Sequence, residues 1–146
     1  MTTTNTSPEG FSDEEREAMR ARAAEVKSAR KAGTKKAETE RQALLDTIAG
    51  MPAEEQAIVN RVHEIVSELA PDLLPKTWYG MPAWARDGRV VVFVKHASKF
   101  TMRYTEIGFT EDAHLDDGDM WPTVFAVTRM NETISRRIAD LVQRVH

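Results

Sequence analysis

The chain has 146 residues, no cysteine and a formal charge of −3, with 41% hydrophobic and 29% charged residues. A chain of about 150 residues buries roughly two-thirds of the surface its unfolded form exposes, so one domain with a genuine core is expected. The lack of cysteine excludes disulfides, thiolate-held metals and cysteine nucleophiles, and fits a reducing compartment.

No run approaches the roughly 18 to 20 apolar residues of a membrane span. The start MTTTNTSPEG has no basic segment followed by an apolar one, so a cytoplasmic protein away from membranes is the expectation. Charge is uneven along the chain. Arg20 to Lys36 holds seven Lys/Arg against the single acid Glu25, whereas Glu106 to Asp119 holds six acids and no Lys/Arg. Either patch could meet an outside partner or the other patch, while a pI near 5.8 argues against a dedicated nucleic-acid binder.

Residues 1 to 10 show no apolar period and read as a flexible tail. Ser12 with Glu15 forms a capping-box signature, and the Ala/Glu/Arg/Lys-rich stretch Asp13 to Ala32 predicts an exposed helix ended by Gly33. Its apolar content is mostly alanine with Met19 and Val26, so it can bury little. A second helix is expected from about Thr34 to Ile48, with Leu44, Leu45 and Ile48 as its apolar stripe. After the Gly50-Met51-Pro52 break, Ile58, Val59, Val62, Ile65, Val66 and Leu69 recur at three- and four-residue spacing, which predicts a core helix over 54 to 69.

Strand character begins beyond Pro71 and Pro75. Ala83 to Arg86 and Arg89 to Lys95 flank Asp87-Gly88, a dipeptide suited to a tight hairpin. Residues 98 to 105 alternate apolar and polar, which predicts a further strand joined by a hairpin around His96-Ala97. In that strand Lys99 and Arg103 would share a face, and Phe93 or Val94 would pair with Phe100 depending on turn length. A short strand over Thr123 to Thr128 and a last helix capped by Asn131 complete the pattern. The expected fold class is α+β, an antiparallel sheet packed by helices, with residues 11 to 50 as an added N-terminal helical arm on a domain spanning 51 to 146.

Nine of the ten aromatic residues lie between Trp78 and Phe125. Core packing accounts for most of them, but the run WYGMPAW gathers Trp78, Tyr79, Pro82 and Trp84, rigid side chains that also line ligand pockets, and Trp121 joins that candidate set. Lys95, Lys99 and Arg103 make a candidate cationic row for an anion, with a solvated face as the plainer reading. The best metal candidate is the acidic loop, where Asp112, His114, Asp116, Asp117 and Asp119 offer carboxylates and one imidazole to hard or borderline ions such as Mg, Ca, Mn or Fe(II). A turn bending at Asp117-Gly118 explains the same residues without a metal. No nucleophile elbow, triad, phosphate loop or HExxH helix is present in the sequence, so a non-enzymatic protein is the expectation.

The segment KTWYGMPAWARDGRVVVFVKHASKFTMRY is similar to the signature of the YdhG-like domain family, bacterial proteins that include frataxin-like intracellular iron chaperones. The family pattern of a Lys, an aromatic, a Pro followed by an aromatic, and a hairpin into a Lys-bearing strand falls here on Lys76, Trp78, Pro82, Trp84, residues 89 to 95 and Lys99. The similarity continues through IGFTEDAHLDDGDMWPTVFAV and, less specifically, back to FSDEERE. This resemblance implies a frataxin-like layered sandwich and a role in binding iron and delivering it to an iron-accepting protein partner; the chain itself is expected to be a monomer or weak homodimer. The competing expectations are an adaptor working through the basic N-terminal helix, and a small-ligand domain with an aromatic pocket.

Overall fold

The structure, a computed structural model, describes residues 12 to 146, apart from the side chains of residues 25, 26 and 28 to 32. The tail expected over 1 to 10 and the Val26 side chain lie outside the described residues. Contacts divide the chain into one unit through Lys36 and a second over Ala37–His146.

Helix α1 runs over Asp13–Ala49. Its start is the capping box read from the sequence: Ser12 Oγ accepts from the Glu15 amide at 3.2 Å, and the Ser12 amide donates to Glu15 Oε1 at 3.3 Å. Gly33 does not end it, so the two helices expected here are one. A mid-helix glycine costs about 1 kcal/mol relative to alanine, too little to break a run flanked on both sides by strong helix formers. Leu44 and Ile48 bury in the core of the second unit.

Helix α2 (Ala53–Leu69) buries Ile58, Val59, Val62, Ile65 and Val66, the stripe its periodicity predicts. Each such aliphatic side chain contributes about 1.5–3 kcal/mol when fully buried. Five strands follow in sequential antiparallel order: β1 (Leu74–Trp78), β2 (Met81–Arg86), β3 (Arg89–Lys95), β4 (Thr105–Phe109) and β5 (Val124–Val127). β1–β2 and β2–β3 are joined by two-residue turns, Tyr79-Gly80 and Asp87-Gly88, in which all four residues have positive φ (51°, 76°, 51° and 81°). That is the turn whose twist matches paired strands, and it favours Gly at the second position.

The strand expected over 98 to 105 is not formed. Ala97–Phe100 is instead a single helical turn, α3, closed by Thr101 at φ 54°. Glu55 on α2 holds it, accepting from the Ser98 amide at 3.1 Å and the Ser98 hydroxyl at 2.7 Å. The Ala97 amide donates to Thr105 Oγ1. There is accordingly no hairpin at His96-Ala97, and Lys99 and Arg103 share no strand face. Phe93 stands opposite Gly108 and Val94 opposite Ile107, rather than either facing Phe100. An alternating pattern in a sequence cannot reveal a carboxylate from a distant helix capturing two donors.

Helix α4 (Glu132–Gln143) is capped by Asn131, whose side chain accepts from the Ile134 amide at 2.9 Å. It buries Ile138 and Val142, and its buried Ser135 accepts from Arg61 Nε of α2 at 2.7 Å. Residues directly opposite in antiparallel strands share a face. Trp84, Val92 and Phe109 form one such row, and Val94, Ile107 and Phe125 another. These join α2, α4 and the end of α1 in the core, giving the α+β architecture of helices on an antiparallel sheet.

Candidate functional site

The register sorts the sequence candidates between the two faces of the sheet. Trp84 belongs to the inner face: it is fully buried, and its indole Nε1 donates to His63 Nδ1 of α2 at 3.1 Å. Burial, with a contribution from the Arg41 charge, pushes the His63 imidazole below its usual range, so it stays neutral and accepts that bond. Pro82 is likewise fully buried. Both are core, not binding surface.

The outer face carries a different set. Lys76, Ala83, Phe93, Gly108 and Val124 are paired in one row across all five strands. Two residues further along, Trp78 pairs with Met81, and Lys95 with Glu106. Trp78 packs edge-on against Phe93 with centroids 5.4 Å apart, and tilted against Tyr79 at 5.3 Å. Both Trp78 and Phe93 are half-buried, while Tyr79 is 78% exposed. Leu74 and Val124 extend the exposed apolar surface.

Gly108 shapes this face. A Cβ there would stand 2.1 Å from Phe93 Cζ and within 2.7 Å of both Cε atoms. Crowding by all three atoms means that the tip of the ring lies over the glycine. Glycine inside a strand often marks such a close approach. Gly80 plays a smaller version of the role: a Cβ there would meet Lys99 Cε at 2.6 Å, so the lysine stem crosses the turn.

The two lysines converge. Lys95 Nζ lies 5.2 Å and Lys99 Nζ 5.8 Å from the centroid of Phe100, which is itself edge-on to His96. Lys76, Lys95 and Lys99 form no ion pair with a carboxylate among the described residues. His96 is buried, its Nδ1 finds no partner, and burial lowers its pKa. The outer face therefore combines rings with cations that form no ion pair among the described residues. Composition could not locate it, because Lys76, Phe93 and Lys95 meet only through the register; the glycine within a strand was the one signal for it.

Arg103 is exposed, stacks on Tyr104 at 5.2 Å and lines a separate cleft with Glu54, Glu55 and Pro52. Trp121 lies elsewhere again, in a cleft of about 400 Å³ with Glu111, Asp112, His114, Leu115 and Asp116. Of the acidic loop, Asp112 is engaged by Arg89 through both oxygens, at 3.3 and 3.2 Å. Asp116, Asp117 and Asp119 are exposed. Among the described residues no group of three or more His, Asp and Glu comes together to hold a metal ion. His114, at φ 53°, has His146 as a neighbour, with ring centroids 5.7 Å apart, and the His146 amide donates to the Ala113 carbonyl. A small apolar cleft of about 270 Å³ lies between β5 and α4, bordered by Phe125, Ile134, Leu141 and Arg137. Among the described residues no helix is long and apolar enough to cross a membrane.

Comparisons with family profiles, with curated proteins and with solved structures find no match to this chain.

Proposed function

We propose that the chain is a non-enzymatic binding domain whose ligand sits on the outer face of the sheet. The observation that carries this reading is the half-exposed Trp78–Phe93 pair, with Tyr79 beside it and three lysines unpaired by any carboxylate. Exposed apolar surface rimmed by charge costs a soluble protein solubility and marks contact sites. Cations over aromatic rings add the means to hold an anionic group. A place in the YdhG-like family is part of the proposal and rests on the sequence resemblance over residues 76 to 104. An NMR screen of small aromatic acids against the full chain tests the reading. Amide shifts should gather on residues 76 to 80, 93 to 99 and 108. Hits confined to the cleft between β5 and α4, or no hits at all, would overturn it.

A second reading, iron or other metal handling, is favoured by the His114–His146 pair, with ring centroids 5.7 Å apart. His146 Nδ1 lies 2.9 Å from the Arg144 carbonyl, which leaves Nε2 as the ring nitrogen for a ligand. Two imidazoles with carboxylates suit borderline divalent ions. Anaerobic Fe(II) titration, repeated on Asp116→Asn and His146→Ala, tests it. Binding no tighter than about millimolar, a gain of only about 4 kcal/mol, sinks it.

A further inference from the structure

Resting on the proposed outer-face reading, we infer that the ligand class is a nucleoside monophosphate, its base against the Tyr79–Trp78 rings and its phosphate between Lys95 and Lys99. Two observations narrow the ligand. Lys95 and Lys99, from different elements, bring their ammonium groups within 5.2 and 5.8 Å of the same Phe100 ring centroid, and neither forms an ion pair with a carboxylate among the described residues. Two converging point charges match a dianion better than a single carboxylate, and lysine binds phosphate as a point charge. The cations are also local. From Ala37 to His146 carboxylates outnumber Lys and Arg, yet Lys76, Lys95 and Lys99 gather here with Glu106 as the single acid in the two outer rows.

The ring end of the ligand is set by Tyr79. A tilted Trp78–Tyr79 pair with Tyr79 78% exposed offers a free aromatic surface at the turn, beside the Lys99 stem that crosses Gly80. Stacking on such a surface tolerates any base, because every base has a π-face. The acidic balance of the rest of the unit weighs against a long polyanion and for one phosphate.

Calorimetric titration of the full chain with AMP, UMP, adenosine and inorganic phosphate tests this. Either monophosphate should bind at least about tenfold tighter than the nucleoside or phosphate alone, and should tighten between pH 5 and 7.5 as its second proton leaves near pH 6. Lys95→Gln with Lys99→Gln should erase the advantage over the nucleoside, while Tyr79→Ser should weaken nucleoside and monophosphate alike. A monophosphate no better than inorganic phosphate overturns the inference. So does an oligonucleotide that binds tighter still with the steep salt dependence of several phosphates. Self-association of the chain through this face, seen in sedimentation and abolished by Trp78→Ser, would do the same. Other aromatic acids shifting the outer face while nucleotides do not would overturn the nucleotide class and leave the binding-domain reading intact.

Discussion

The two faces of one sheet carry the same residue types and use them oppositely. On the inner face Trp84 is sealed beneath α2, with its one polar atom satisfied by a neutral histidine. On the outer face Trp78 is left half-exposed, and the lysines around it form no ion pair with a carboxylate among the described residues. Two tryptophans six residues apart thus go one to the surface and one to the core. The difference lies in the turn between them: Trp78 pairs with Met81, and Trp84, three positions further along β2, falls on the opposite face.

Four measurements would break or sharpen that contrast. The largest effect should come from Trp84→Ala, which removes a fully buried ring and the donor to His63, and should cost about 3–5 kcal/mol in denaturant unfolding. Gly108→Ala should follow at about 1–3 kcal/mol, because the added methyl collides with the Phe93 ring, which has strand neighbours on either side. It should also remove outer-face binding, which Trp84→Ala tests only through folding.

The pH response should come next, and it belongs to the buried side. His63 and His96 both titrate below their ordinary value of 6.5, chiefly because burial disfavours the charged imidazole. The unfolded chain then takes up protons first, so this contribution is whole above pH 6.5 and is lost as pH falls through the lowered native values. The urea midpoint should drop between pH 7.5 and pH 5, and His63→Gln should flatten that drop. The smallest effect is expected from Lys95→Gln with Lys99→Gln, within about 0.5 kcal/mol of the parent stability, since neither side chain carries an ion pair. A large loss there would mean the outer face is part of the folding core after all.

Much of this architecture was legible from residues. The α2 stripe, the Asp87-Gly88 turn, the β3 strand and the Asn131 cap all arise from local chemistry acting over a few positions. What escaped depended on distant partners. β1 and the Tyr79-Gly80 turn were hidden inside a run that also reads as a pocket, and α3 required Glu55, 43 residues upstream of Ser98. The candidate set divided for the same reason: Trp84 and Pro82 went inward, Trp121 and Arg103 to separate clefts, and only Trp78, Tyr79 and Lys99 came together.

In the order β1-β2-β3-β4-β5 the last strand does not return to pair with the first, so among the described residues β1 and β5 each leave a side with no strand beside it. Unpaired backbone donors and acceptors are templates for edge-to-edge assembly between copies. The chain guards both. β1 places Pro75, which withholds a donor, next to the charge of Lys76, and β5 is only four residues long. These two edges set how concentrated the protein can become before it aggregates, and Pro75→Val with Lys76→Val should lower that ceiling first.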